Sequence, residues 1–195
     1  MQANVLLIIA DISGYTRFMV ANQNELEHSH EIVGALLEAI IAEVEIPLSI
    51  AKLEGDAVFL YLVKDDDPSG ETLRQVRMKL LRLFNAFSSR LRELATTRPC
   101  ECGACRNIDQ LRLKVVVHSG TALVYSIAGR TELAGVDVIL IHRLLKNSLT
   151  AREYILLTDP AKRDLPLDLS VICSGGEEYE EIGRVNVTAY SVGQS

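Results

Sequence analysis

The chain has 195 residues, 48% of them hydrophobic, with no tryptophan and a formal net charge of −6. This length suits one domain with an aliphatic core and is short for two, so we expect a single domain spanning residues 1–195. The negative charge argues against broad binding to nucleic acids or membrane surfaces, because both need a basic surface.

The hydrophobic segments are too short for targeting or membrane insertion. Residues 5–10 form an apolar run about as long as one strand, and Asp11 ends it. A signal peptide needs a basic start and a longer apolar segment, and a membrane-spanning helix needs about 20 apolar residues. We therefore expect a cytoplasmic protein that does not enter a membrane.

Hydrophobic periodicity predicts the elements of the first half of the chain. Residues 5–10 are predicted as a buried strand and residues 26–45 as a helix that Pro47 ends. Residues 48–53 and 57–63 are predicted as a hairpin that turns at Gly55. The acidic residues 65–67 are predicted as a loop, followed by a long helix over residues 71–95.

In the second half, residues 111–118 and 122–127 are predicted as a hairpin with its turn at Ser119-Gly120. A helix is predicted over residues 136–149, and strands over residues 154–157 and 187–192, the last after a loop at Ser174-Gly175-Gly176. The first six elements have the order β-α-β-β-α-β of the ferredoxin-like (split βαβ) fold. We therefore expect an α+β protein with helices packed on a mixed or antiparallel sheet.

Two aspartates lie in similar settings at strand ends. Asp11 follows the first strand and Asp56 lies in the turn of the first hairpin, each close to a glycine. Paired carboxylates at such a place suit hard divalent cations that hold a phosphate chain. The pattern indicates a nucleotide site, although either aspartate alone would be an ordinary turn residue.

Four motifs in order resemble the catalytic domain of the class III nucleotidyl (adenylate/guanylate) cyclases. They are Asp-Ile-Ser-Gly-Tyr-Thr at residues 11–16, Lys-Leu-Glu-Gly-Asp-Ala at 52–57, Val-His-Ser-Gly at 117–120, and the helix Gly-Val-Asp-Val-Ile-Leu-Ile-His-Arg-Leu at 135–144. The resemblance spans nearly the whole chain. Other details, including the cysteine cluster, are similar to a compact and poorly characterised branch of that superfamily.

This resemblance implies a site for metal and nucleoside triphosphate, with ATP favoured, shared by the two subunits of a head-to-tail dimer. It implies that Asp11, Asp56 and the Ile12 carbonyl hold two Mg²⁺ or Mn²⁺ ions. The amides of Ser13, Gly14, Tyr15 and Thr16 would bind the β- and γ-phosphates, Lys52 and Glu132 would recognise adenine, and Arg143 would stabilise the transition state. The implied reaction converts ATP to cyclic AMP and pyrophosphate.

One departure from the family pattern puts catalysis in question. The asparagine expected four residues before Arg143 is Ile139, which cannot donate a hydrogen bond. Loss of one preorganised donor costs about 10²–10³ in rate. Asn147 follows one turn after Arg143 and is the candidate replacement, although it lies about 12 Å along the helix from residue 139. A second departure is the turn at Gly183-Arg184, where the register does not match the family's triphosphate lysine.

Three of the four cysteines lie within six residues, at Cys100, Cys102 and Cys105. Their spacing resembles a zinc knuckle, and the fourth ligand would be Cys173, a histidine or water. A reduced loop or an adventitious disulfide is the alternative.

Three functions remain open from the sequence. The first is a stand-alone adenylate cyclase of weak or conditional activity, and the second is a catalytically degenerate homologue that binds nucleotide or a protein partner. The third is a protein that keeps only the fold and the dimer surface. Ile139 favours the second, whereas retention of Asp11, Asp56, Lys52 and Arg143 favours the first.

Overall fold

The structure is a computed structural model that describes residues 1–64, 69–97 and 100–193; the predicted acidic loop at residues 65–67 lies outside these ranges. The strands are β1 Gln2–Ser13, β2 Ser49–Glu54, β3 Ala57–Val63, β4 Arg112–Ile127, β5 Arg130–Ala134, β6 Tyr154–Thr158, β7 Val171–Tyr179 and β8 Gly183–Tyr190. The helices are α1 Tyr15–Ala21, α2 Leu26–Ala42, α3 Glu71–Thr97, α4 Gly103–Asn107, α5 Val136–Leu144 and α6 Asp159–Asp164.

The strands form one sheet in the order β2-β3-β1-β4-β6-β8-β7, with β5 paired to β4 outside this path. The first four strands are antiparallel neighbours in the order that a split βαβ unit requires. Only the β4–β6 pair among the described strands is parallel. The α+β prediction with a mixed sheet is therefore confirmed.

The two faces of the sheet are covered unequally. On one face, α2 and α3 pack their apolar sides against alternate residues of β1 such as Leu6 and Ile8. On the other face, α5 packs against the intervening residues Val5, Leu7 and Ile9. Because side chains alternate across a strand, Asp11 lies on the same face as Ile9, beside α5.

The predicted turn at Ser119-Gly120 is wrong. Both residues lie within the 16-residue strand β4, opposite Leu6 and Val5 of β1. The chain reverses at Ala128-Gly129, where both residues have positive φ angles, 50° and 77°. Gly120 is needed for another reason, because a Cβ there would collide with the Asp137 carboxylate.

The predicted loop at residues 174–176 is also wrong, since these residues lie within β7 and pair with β8. A Cβ at Gly176 would collide with the Arg184 guanidinium, which lies across it from β8. In addition, α5 ends at Leu144 and not at residue 149. Among the described residues, no helix combines the length and apolar character that a membrane crossing needs.

Candidate functional site

Asp11 and Asp56 lie together at the α5 face of the sheet. Asp11 is near the end of β1 and directly opposite Ala57, the residue that follows Asp56. The Ile12 amide donates a hydrogen bond to the Asp56 carbonyl at 3.1 Å, which fixes the β2–β3 turn against β1. The antiparallel pairing of β1 with β3 thus brings together two carboxylates that are 45 positions apart in the chain.

The electrostatic state of Asp56 reflects this proximity. Burial, followed by the negative charge of Asp11, raises the pKa of Asp56 to about 6. Two carboxylates that are partly removed from water repel each other unless a proton or a cation lies between them. The donor set, two carboxylate groups beside backbone carbonyls, fits the oxygen preference of Mg²⁺ and Mn²⁺.

Sequence reasoning missed a cation beside this pair. Lys114 lies directly across from Asp11 on β4, and its ammonium group is 2.9 Å from Asp11 Oδ2. The same group donates to the Leu145 carbonyl after α5, at 3.2 Å. Lys114 therefore neutralises part of the negative charge and connects the carboxylate site to the end of α5.

We expect Asp56→Asn to stabilise the metal-free protein above pH 6. The folded protein holds the Asp56 proton more tightly than the unfolded chain does, so ionisation of Asp56 lowers the free energy of unfolding as pH rises from about 4 to about 6. After allowance for partial solvent exposure, the cost is about 1–3 kcal/mol. Urea unfolding of the wild type and of Asp56→Asn at several pH values, with chelator present, measures this difference in the free energy of unfolding.

The difference between the two proteins isolates Asp56 from other titrating groups. It should be small at pH 4, grow up to pH 6 and then stay constant. Asp168→Asn, at an exposed carboxylate, is the matched control substitution. A difference that does not change with pH would contradict the described environment of Asp56.

The predicted phosphate-binding residues lie at the junction of β1 and α1, with Ser13 as the last residue of β1. Gly14 has a φ of 90° and precedes the first turn of α1, where Tyr15 and Thr16 lie. A Cβ at Gly14 would collide with the guanidinium group of Arg152, which also donates to the Gln110 carbonyl. Arg152 is thus a second cation beside the site that sequence reasoning missed.

Lys52 and Arg143 lie on neighbouring elements and both are exposed. Lys52 is on β2 opposite Phe59, so it shares the α5 face with Asp11. Strand spacings put its Cα about 12 Å from that of Asp11. His142 joins the two elements, because its Nε2 lies 3.0 Å from Glu54 Oε2 and its ring packs edge-on against Phe59.

Asn147, the candidate replacement for the asparagine missing at position 139, has its side chain engaged elsewhere. The Asn147 amide nitrogen donates to the Leu144 carbonyl at 2.7 Å and to the Tyr154 hydroxyl at 2.8 Å, while its oxygen accepts from the Leu149 amide. Asn147 therefore ends α5 and is not free to reach a nucleotide. Ile139, in contrast, is 54% exposed on α5 and borders the same shallow groove as Arg143.

Glu132 lies on β5, opposite Tyr125 in the β4–β5 hairpin. This hairpin extends β4 beyond the main sheet, and β5 contacts β2, which carries Lys52. The predicted pair of base-recognising residues therefore lies on two adjacent elements. Arg184, the basic residue of the Gly183-Arg184 turn, lies at the β7–β8 hairpin, far along the sheet from Asp11.

Residues 33–154 match a family model described as a protein of unknown function, DUF2652. The chain is also 37% identical, over 152 residues, to the uncharacterized protein Rv2561/Rv2562 of Mycobacterium tuberculosis, covering 77% of this chain and 69% of the relative. The chain belongs to the DUF2652 family. The matched residues include Asp56, the cysteine cluster and Arg143.

This DUF2652 protein has the fold of the class III nucleotidyl cyclase catalytic domains. The guanylyl cyclase Cya2 superposes with a TM-score of 0.70 at 13% identity, covering 97% of this chain and 92% of that one. The adenylyl cyclase CyaB from P. aeruginosa gives 0.67 at 12% identity, covering 98% and 95%. The predicted fold is confirmed.

The histidine of the third motif has a structural role in this DUF2652 protein. His118 is buried within β4, with Nδ1 2.9 Å from Thr158 Oγ1 and Nε2 3.0 Å from Asp137 Oδ1. Burial raises the pKa of Asp137, but hydrogen bonds from the Thr121 amide and His118 outweigh it, so the pKa is lowered overall. The network fixes the start of α5 on β4.

The cysteine cluster lies away from the carboxylates, on the opposite face of the sheet. Cys100, Cys102 and Cys105 surround the start of α4, which packs against α1 and α3. His28, near the start of α2, completes a group of four with them. Cys173, which the sequence offered as a fourth ligand, lies exposed on β7 and outside this group.

Proposed function

We propose that this chain binds a metal–nucleoside triphosphate, with ATP favoured, in a site completed by two copies of the chain. We further propose that it converts ATP to cyclic AMP and pyrophosphate only slowly. The observation that carries the proposal is the pair of carboxylates at Asp11 and Asp56, whose mutual repulsion and burial would favour a divalent cation between them.

In this proposal Asp11, Asp56 and the Ile12 carbonyl hold Mg²⁺ or Mn²⁺. When bound there, the metal ions would neutralise charge at the α-phosphate and lower the pKa of the ribose 3′-hydroxyl. When they bind, Lys114 can retain the Leu145 carbonyl as its acceptor. Lys114 then adds a positive charge beside the phosphates.

The triphosphate would lie along the loop that joins β1 to α1. The backbone amides of Gly14, Tyr15 and Thr16 would donate to phosphate oxygens, since the first amides of a helix have no intrahelical acceptor. Ser13, in contrast, is the last residue of β1 and is paired with Arg112 of β4. Because α1 is only seven residues long, its dipole is a small contribution. The Arg152 guanidinium beside Gly14 would add one positive charge next to the triphosphate.

We propose that Lys52 and Glu132 recognise adenine and that Arg143 contacts the α-phosphate, each acting on the nucleotide held by the aspartates of the other subunit. Exposure of Lys52 and Arg143 in the single chain supports a shared site. So does an apolar strip on the projecting β4–β5 hairpin, where Leu123, Tyr125 and Ile127 are 48%, 41% and 59% exposed. Apolar surface of this kind is suited to a second copy.

Slow turnover follows from one residue on α5 and one just after it. Ile139 occupies the position of the expected donor, and Asn147 is committed to the end of the helix. These two observations favour nucleotide binding over rapid catalysis. A binding module with no turnover at all is therefore the second candidate function.

Titration of the purified protein with ATP and with GTP, each with and without Mn²⁺, tests the proposal. We expect saturable binding of ATP that requires Mn²⁺, with a low rate of cyclic AMP and pyrophosphate formation in the same samples. Lys52→Ala should weaken ATP binding while GTP binding changes little. Equal binding of ATP with and without Mn²⁺ would contradict the proposed site.

A further inference from the structure

Three thiols and one imidazole lie close together where the start of α2 meets α4. The metal-ligating atoms of His28, Cys100, Cys102 and Cys105 all lie within 4.8 Å of one another. We propose that these four residues form a structural zinc site of the Cys₃His type. This site is separate from the carboxylate pair and does not depend on the nucleotide-binding proposal.

The distances between the ligand atoms are close to those that tetrahedral coordination needs. Bond lengths of about 2.3 Å for zinc–sulfur and 2.0–2.1 Å for zinc–nitrogen separate neighbouring ligand atoms by about 3.5–3.8 Å. His28 Nδ1 lies 3.2 Å from Cys102 Sγ, and His28 Nε2 lies 3.8 Å from Cys105 Sγ. A small rotation of the ring would place one nitrogen at the distance that zinc requires.

Backbone amides point at two of the sulfur atoms. The Cys102 amide donates to Cys100 Sγ and the Cys105 amide donates to Cys102 Sγ, both at 3.4 Å. Such N–H···S hydrogen bonds stabilise thiolates, which are the form of cysteine that binds zinc. The loop therefore provides both the ligands and the donors that support them.

A second layer of contacts fixes the loop against the segment between α1 and α2. Glu25 Oε2 accepts a hydrogen bond from the Ala104 amide at 2.9 Å, inside the Cys102–Cys105 interval. Gly103 allows this approach, because a Cβ there would lie 2.7 Å from Asn22 Oδ1 and 3.1 Å from Glu25 Oε2. Ordered second-layer partners of this kind orient ligands in metal sites.

The four ligands suit one zinc ion in a structural role. A complete set of protein ligands leaves no open position for water or substrate, which distinguishes structural from catalytic zinc. The site would connect His28 to a cluster that begins 72 positions later. It would therefore fasten the start of α2 to α4, which also contacts α1.

Metal analysis of the 195-residue chain, purified from zinc-replete cells without chelator, tests the proposal. We expect about one zinc per chain. Cys102→Ser and His28→Asn should each reduce the zinc content at least tenfold. The matched controls are Cys173→Ser and His30→Asn, which change the exposed fourth cysteine and the exposed neighbouring histidine and should retain zinc.

A second measurement covers variants that fold poorly. His28→Cys creates a four-cysteine site, so it should fold and retain zinc, and its cobalt-substituted form should show stronger sulfur-to-cobalt absorption than the cobalt-substituted wild type. Removal of zinc should lower the midpoint of thermal unfolding by about 5–10 °C. A wild type without zinc, iron in its place, or zinc content unchanged in both Cys102→Ser and His28→Asn would overturn the proposal.

Discussion

Replacing Ile139 with asparagine is expected to raise the rate of cyclic nucleotide formation by about 10²–10³-fold, the usual value of one preorganised donor in a transition state. Ile139 is 54% exposed, so the substitution sacrifices little buried surface. It borders the groove that Arg143 also lines, so the new amide would face the same space. The measurement is cyclic AMP formed from ATP with Mn²⁺ at saturating nucleotide.

Ile139→Leu is the matched control, since it changes the side chain without adding a donor and should leave the rate at the wild-type level. Adding Arg143→Ala to Ile139→Asn should remove most of the gain, because the two residues would act on the same phosphate. If Ile139→Asn binds Mn²⁺–ATP like the wild type yet forms product no faster, Ile139 is not the cause of slow turnover.

Replacing Ile127 with aspartate is expected to raise the dissociation constant of the proposed dimer by at least about 10²-fold. Burial of an isoleucine side chain contributes about 1.5–3 kcal/mol, and a two-fold axis makes the substitution occur twice in each dimer. Ile127 lies at the exposed end of β4, which pairs with β5, so the substitution should lower the stability of the folded monomer only slightly. Analytical ultracentrifugation over a range of protein concentrations measures the change.

Met78→Asp is a matched control, because Met78 is an exposed apolar residue on α3, away from the β4–β5 hairpin. It should leave dimerisation unchanged. ATP binding should weaken together with dimerisation in Ile127→Asp, since the proposed site takes residues from both subunits. A variant that remains dimeric would show that the hairpin strip is not the interface.

The fold could be predicted from the sequence because local pattern and motif order agree. Strand β3 and the starts of α2, α3 and α5 follow from hydrophobic periodicity and from Gly55 and Gly135, and the structure has them at the predicted residues. The end of α5 was placed five residues too late. The Asn147 side chain ends the helix by bonding the Leu144 carbonyl, and periodicity carries no information on such a contact.

Two errors share one physical cause. The sequence predicts a turn at Gly120 and a loop at Gly175-Gly176, although these residues lie inside β4 and β7. At Gly120 and Gly176, the missing Cβ makes room for a side chain from another element, Asp137 or Arg184. A single sequence does not distinguish a glycine that turns the chain from one that allows close approach.

Some residues of the candidate site could be predicted from the sequence, and others are brought to it only by the fold. Motifs identify Asp11 and Asp56. Lys114 reaches the site because β4 pairs with β1, and Arg152 reaches it from the segment just before β6. No short motif encodes either contact. His28 joins the cysteines from the start of α2, 72 positions before Cys100. The sequence predicts a histidine as one candidate for the fourth ligand. Which histidine it is depends on the packing of α4 against α1, which the sequence pattern does not show.

The most direct test of the account is a double-mutant cycle on Mn²⁺-dependent ATP binding, using Asp11→Asn, Asp56→Asn and the combined variant. If both carboxylates hold the same metal–nucleotide, each single change should weaken binding by at least about 10²-fold. The combined variant should then be little weaker than either single variant, since the site is already lost. Unchanged ATP affinity in all three variants, or binding that does not need Mn²⁺, would contradict the account.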